Sequence, residues 1–301
     1  MSNQQDKTSN DHEEQNQKYA LFTGCVIPIQ IPHIEKLSRN ILSRLGIELY
    51  DIDFTCCPVY SVRDVSEEEW LVIAARNLAE AEEKDMDIIS LCNGCSQTLI
   101  EAHEILKDKE KREEINKKLE QFGKRYNNKV KVKHLLMVLD ENQEKIKSII
   151  KRDFKGYKIA THTGCHLLRP SGTIGFDDAE DPKKFDDIIK LLGARPVDYT
   201  TKTLCCGSTM ITKEKDMSVD MMKDKLKDLG RYNIDMLAVC CPSCFIQYDK
   251  NQVLVKAKYK KDYKLPVVHI SQLLGLLIGM KDHEVYLDKN RSLKRQKIFA
   301  K

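Results

Sequence analysis

The chain has 301 residues, 32% of them Asp, Glu, Lys or Arg, with eleven cysteines and a net charge of +4. It is long enough to bury a core without disulfide staples, its longest apolar stretch, 273–280, is far short of the ~20 residues of a membrane helix, and its polar start has no signal-peptide core. Six basic residues without an acid fall in 289–301, leaving a nearly neutral body and no nucleic-acid face.

Taken in order, residues 1–17 carry no aromatic or branched aliphatic side chain and read as a disordered tail. Tyr19–Thr23 is a short apolar strand running into Cys25. Ile34, Leu37, Ile41, Leu42 and Leu45 then recur at helical spacing, and Gly46 stops that helix. Ile47–Phe54 alternates as a second strand ending at the adjacent pair Cys56-Cys57. Ser66 and Glu69 have the spacing of a capping box, opening a helix that runs to about Lys84. Met86–Leu91 is a third strand ending at Cys92, with Cys95 in the first turn of the next helix. Lys129–Leu139 supplies a closing strand and helix.

The scheme then repeats. Lys158–Thr161 leads to Cys165, and Phe185, Ile188, Ile189 and Leu192 mark a helix stopped by Gly193. A strand around Pro196–Tyr199 precedes Cys205-Cys206. A helix over Lys215–Leu229 stops at Gly230, Ile234–Val239 ends at Cys241, and Cys244 follows. Leu265–Leu277 closes the second unit, and residues 281–301 read as a basic, solvated tail. From the adjacent pair onward the cysteines of the two halves lie 149 positions apart, and Thr23-Gly24-Cys25 matches Thr163-Gly164-Cys165 letter for letter. The chain is therefore a duplication, with one repeat in 18–150 and another in 151–280. Strand–helix alternation gives an α/β class: two pseudo-symmetric repeats, each a mainly parallel sheet flanked by helices, with cysteines at the carboxyl ends of the strands. Cys240 aligns with Leu91 and is expected as a small buried residue on the opposite face from Cys241. His134 and His269 are expected to be packing residues.

The N-terminus points to a cytoplasmic protein, where cysteines serve metals or catalysis. Each repeat brings five cysteines to one place. Structural zinc takes four ligands, and a strand-end CxxC dithiol leaves three cysteines of each repeat idle. An iron–sulfur cluster uses them all, with five suggesting an unusual cluster or a bridging thiolate. Neither a GxGxxG nor a P-loop is present, so no flavin, nicotinamide or nucleotide is expected in this chain and electrons must arrive from another subunit.

The spacing C-x30-CC-x34-C-x2-C followed by C-x39-CC-x34-C-x2-C resembles the duplicated cysteine-rich (CCG) domain of the B subunits of methanogen heterodisulfide reductases. The resemblance covers about residues 18–280. It implies an oxidoreductase subunit with two noncubane [4Fe-4S] clusters. Cys25, Cys56, Cys57, Cys92 and Cys95 would hold the first, and Cys165, Cys205, Cys206, Cys241 and Cys244 the second. It also implies the substrate, the mixed disulfide of coenzyme M and coenzyme B, reduced in the last step of methanogenesis. The implied partners are a ferredoxin-like C subunit and a flavin-bearing A subunit, fed by a hydrogenase or a formate dehydrogenase. One departure stands out: Cys205-Cys206 is followed by Gly207, but Cys56-Cys57 is followed by Pro58, which lacks an N–H. The substrate's anionic groups need cations, and His33, His162, His166 and Arg169 are the candidates, with Arg169 pairing to an acid as the structural alternative. A quinone-side electron-transfer subunit of a succinate:quinone reductase-like complex shares the motif, and a zinc-stapled interaction module is the third reading.

Overall fold

Two four-stranded parallel sheets form, one from each half of the chain, in a computed structural model that describes residues 18–293. The expected tail at 1–17 lies outside the described residues, as do 294–301. The first sheet contains β1 (Lys18–Phe22), β2 (Glu48–Tyr50), β3 (Asp87–Ser90) and β4 (Val132–His134) in the order β2-β1-β3-β4. The second contains β5 (Lys158–His162), β6 (Arg195–Val197), β7 (Met236–Val239) and β8 (Val267–His269) in the order β6-β5-β7-β8. Every pairing is parallel. The central strands read as nearly unbroken apolar runs because helices cover both faces; all four residues of β7 are buried. The α/β class with two pseudo-symmetric repeats is thus observed directly.

Local departures have local causes. β2 covers three residues of the alternating stretch expected over Ile47–Phe54. It is an edge strand paired only with β1, so nothing holds the chain extended beyond Tyr50, and it leaves toward Cys56. The helix after Cys25 is two helices, Val26–Gln30 and Pro32–Arg44, because Ile31 leaves the helical region and Pro32 restarts it at the first position. Ser66 caps the helix Glu67–Glu82 by accepting the Glu69 N–H at 3.2 Å, while its own N–H goes to the Val62 carbonyl at 2.8 Å. The reciprocal half of the capping box is therefore not needed.

The two halves interlock. The helix Leu135–Glu141, which follows β4, packs on the helix Lys184–Leu191 of the second half. Symmetrically, the helix Ile270–Leu277, which follows β8, packs on Pro32–Arg44 of the first, where Ser271 and Ser38 hydroxyls meet at 2.8 Å in the core. Residues 281–293, expected as the start of a solvated tail, instead fold back on the second half: Val285 and Asn290 are fully buried. The Asn290 amide donates to the Val267 carbonyl at 2.8 Å, and Asp249 accepts the Arg291 and Ser292 N–H groups at 2.9 Å. Apolar and amide side chains inside a basic stretch explain the difference; charge counting registers only the surface lysines.

Candidate metal centre

Parallel strands open their carboxyl ends to one side, and both sheets place their cysteines there. Cys25 follows β1, Cys92 caps the helix Asn93–Ile105 after β3, and Cys95 sits one turn inside it. Cys241 caps the helix Pro242–Asp249 after β7 in the same way, with Cys244 in its first turn. The adjacent pairs are clamped from those helices at equivalent positions: Thr98 Oγ1 donates to the Pro58 carbonyl and Gln247 Nε2 to the Cys206 carbonyl, both at 3.1 Å.

The glycine of each Thr-Gly-Cys is required by space as well as by backbone angle. Gly24 has φ +66° and a Cβ there would lie 2.8 Å from Cys95 Sγ. Gly164 has φ +86° and its Cβ would meet Asn93 Nδ2 at 2.7 Å. The sequence match was visible; its reasons are the positive φ at both glycines and a close approach of backbone to the Cys95 thiol in the first half and to the Asn93 amide in the second.

The thiols form one connected array. Cys56 contacts Cys25 and Cys57, Cys57 Sγ lies 3.0 Å from Cys95 Sγ, and Cys95 contacts Cys92. In the second half Cys205 contacts Cys165 and Cys206, Cys206 Sγ lies 3.4 Å from Cys244 Sγ, and Cys244 contacts Cys241. The two sets meet, because Cys92 and Cys241 are within hydrogen-bonding reach of each other. Cys25 and Cys56 are exposed and Cys165 and Cys205 half-buried, while the junction is buried. Burial, then the neighbouring Cys57 and Cys25, pushes the Cys56 thiol up to about 11. Hydrogen bonding between neighbours lowers one thiol of a pair and raises the other, as with Cys57 down and Cys95 up. The thiols therefore do not all ionise together, and a cationic metal relieves that cost by taking their electron pairs. A ten-thiol donor set with soft ligands suits iron–sulfur chemistry.

A second feature belongs to the second set alone. Lys225 is 1% exposed, and its ammonium donates to His162 Nδ1 at 3.1 Å and to the carbonyls of Lys202 at 3.2 Å and Leu204 at 2.9 Å. These acceptors are neutral, and no carboxylate among the described residues is hydrogen-bonded to the charge; Asp186 is held by Lys202 at 2.6 Å. A buried cation needs an anion, and its neighbours on that side are Cys244, Cys206, Cys205 and Cys165. His162, fully buried, has a ring nitrogen within 4.8 Å of the Cys206 and Cys244 sulfurs, and its Nε2 has no hydrogen-bond partner among the described residues. Sequence reasoning missed Lys225. Its signal was a lysine three residues after Met222 and four before Leu229, on the inward face of an otherwise apolar-faced helix.

The four residues put forward for anion binding lie apart. His162 is sealed inside the second half, and burial lowers it to about 3, so it offers no charge to a solvent-borne anion. His33 is lowered to about 4 by burial and sits against Phe245 and Tyr286 rather than beside the thiols. His166 stands edge-on to Tyr60 of the first half, with ring centroids 5.9 Å apart. Arg169 donates to the Ala179 and Thr203 carbonyls and pairs with Glu180 at 2.9 Å, the acid pairing weighed as its structural alternative. His134 and His269 are fully buried helix caps, accepting the N–H of Leu136 at 3.0 Å and of Ser271 at 3.3 Å. Cys240 is fully buried at the junction and donates to the Thr163 carbonyl at 3.2 Å.

Comparison with known proteins adds a family model described as "CCG: Cysteine-rich domain", which matches twice, over 19–100 and 159–249. The chain is 34% identical to the B subunit of the ferredoxin:CoB-CoM heterodisulfide reductase of Methanosarcina mazei, covering 91% of this chain and 93% of that one. It is 31% identical to the 8-methylmenaquinol:fumarate reductase membrane anchor subunit of Wolinella succinogenes, covering 91% and 96%. The fold is also that of a hypothetical protein from Helicobacter pylori, with a TM-score of 0.73 at 15% identity over 92% of this chain and 52% of that one.

Proposed function

The chain belongs to the family of duplicated CCG cysteine-rich domain proteins that includes the B subunits of heterodisulfide reductases, and from that premise we propose that it is the disulfide-reducing subunit of such a complex. The observation that carries this reading is the meeting of the two five-cysteine sets at Cys92 and Cys241. Cys25, Cys56, Cys57, Cys92 and Cys95 hold one noncubane [4Fe-4S] cluster, and Cys165, Cys205, Cys206, Cys241 and Cys244 hold another. When bound, the pair would supply two one-electron reductants, matching the two electrons that turn one disulfide into two thiols, with the two protons taken from solvent. The chain's own residues fix the geometry. The buried Cys92–Cys241 junction sets the spacing of the sites, Gly24 and Gly164 let the backbone close over them, and Cys25, Cys56, Cys165 and Cys205 give the more open side.

The substrate is the mixed disulfide of coenzyme M and coenzyme B, and the electrons come from the A and C subunits of the complex in the cytoplasm. Arg169, a guanidinium whose side chain is 41% exposed, is the candidate carried forward for anion binding, and a substrate anion would have to displace Glu180 to reach it. The test is consumption of the coenzyme disulfide by anaerobically prepared, iron-loaded protein with a reduced low-potential donor. Two thiols released per disulfide support the proposal, and an iron-loaded protein that leaves the disulfide intact refutes it.

A second reading is favoured by the Wolinella relative: an electron carrier between a quinol and another subunit. That relative is named a membrane anchor, whereas no helix among the described residues is long and apolar enough to cross a membrane. Reduction of the bound iron by a menaquinol, without disulfide turnover, would select this reading.

A further inference from the structure

The two cysteine sets are matched in spacing but not in their surroundings. At the repeat offset Lys225 corresponds to Arg76, which turns outward to the Asp53 carbonyl at 3.2 Å and the Asp53 carboxylate at 3.9 Å. His162 corresponds to Phe22, whose ring packs on Phe54 with centroids 4.8 Å apart. Gly207 donates its N–H to Cys205 Sγ at 3.3 Å, and Ser208 donates to Cys206 Sγ at 3.4 Å. Pro58, in the place of Gly207, has no N–H to give Cys56.

We propose that Lys225, His162 and the Gly207 and Ser208 amides make the second cysteine set the stronger electron acceptor of the two. This rests on the reading that each set holds an iron–sulfur cluster. The physical basis is the charge added on reduction: a one-electron gain makes the site more negative, and a fixed cation or N–H donor in a dry environment favours the more negative state. Lys225 is the largest of these contributors. Its three hydrogen bonds go to neutral acceptors, so its charge is free to act on the thiolate side. Its contact with His162 also orients that ring: with Nδ1 accepting from the ammonium, the ring proton sits on Nε2, a buried donor without a hydrogen-bond partner among the described residues, on a ring close to Cys206 and Cys244. The first set has Phe22 at that place. An electron delivered to the pair therefore settles at the second set, and the first remains the oxidised member until a second electron arrives.

Lys225 and His162 are positioning residues in this scheme, since neither touches substrate. The test is a redox titration of the full-length, iron-loaded chain with dithionite, followed by electron paramagnetic resonance, with iron counted on the same samples. The wild type is expected to show two separated midpoint potentials. Lys225→Met and His162→Phe should each lower the higher potential and leave the lower one in place, with iron content unchanged. Lys225→Arg should preserve the separation, and Arg76→Met should move neither potential. The proposal is overturned if Lys225→Met shifts neither potential or both equally, or if it loses about half the iron expected for two four-iron sites, which would make Lys225 only a prop for the loop at Leu204. Iron-free wild-type protein would refute the cluster reading itself and this inference with it.

Discussion

His134 and His269 show how one side-chain atom can carry both structure and pH response. Each accepts a backbone N–H through Nδ1, so protonating that nitrogen would turn an acceptor into a donor facing a donor. Burial accordingly lowers them to about 4 and about 3 from an ordinary 6.5. Below 6.5 the unfolded chain takes up protons that the folded chain refuses, so stability rises with pH and is lost as pH falls toward those folded values. At pH 5 the loss is about 2 kcal/mol for each histidine. Urea unfolding of the iron-free chain at pH 7 and pH 5 measures it. His134→Asn, which keeps a capping side chain, should shrink the difference by roughly one histidine's share. Gly24 makes the other residue-scale argument. With φ +66° and Cys95 Sγ 2.8 Å from an added Cβ, Gly24→Ala displaces a thiol of the first set. Such a chain should fold yet carry about half the iron of the wild type, and full iron content would mean that the close approach is not needed.

At the scale of elements, the helix Ile270–Leu277 joins three parts of the molecule. It caps β8, packs on Pro32–Arg44 and receives the folded-back segment through Val285. Gly275 sits at that contact, where an added Cβ would lie 2.6 Å from Val285 Cγ1 and 3.5 Å from Leu37 Cδ2. Helix propensity alone would favour alanine there by about 1 kcal/mol. The valine branch is stiff and the cavity filled, so overpacking should outweigh this and Gly275→Ala should lose about 1–3 kcal/mol. Thermal unfolding of Gly275→Ala and of Gly275→Ala with Val285→Ala tests the assignment, because the second substitution should restore much of the loss. What the sequence disclosed at this scale followed from periodicity and repetition. The strands leading to Cys25, Cys92, Cys165 and Cys241 were visible because buried parallel strands are apolar runs. The trimming of β2 was not, since edge position depends on partners. Nor was the fold-back of 281–293, where Val285 and Asn290 are single buried residues without a period.

Across the whole molecule, duplication supplied the visible part and interlocking the hidden part. A constant spacing shows that two five-cysteine sets exist, but it says nothing of where one set lies relative to the other. That depends on the crossing of the Leu135–Glu141 and Ile270–Leu277 helices into opposite halves and on Asn93, whose amide donates to the Thr163 carbonyl at 2.6 Å across the junction. The same crossing brings Cys92 to Cys241. The asymmetry between the sets was partly legible in Pro58 against Gly207, and otherwise hidden in a lysine whose inward direction only the folded helix settles. The central claim is that the ten cysteines form two adjacent iron–sulfur sites. The most direct measurement is iron and acid-labile sulfide per chain after anaerobic purification. About eight of each are expected, four per set; a colourless chain holding zinc and no sulfide would rule out iron–sulfur sites.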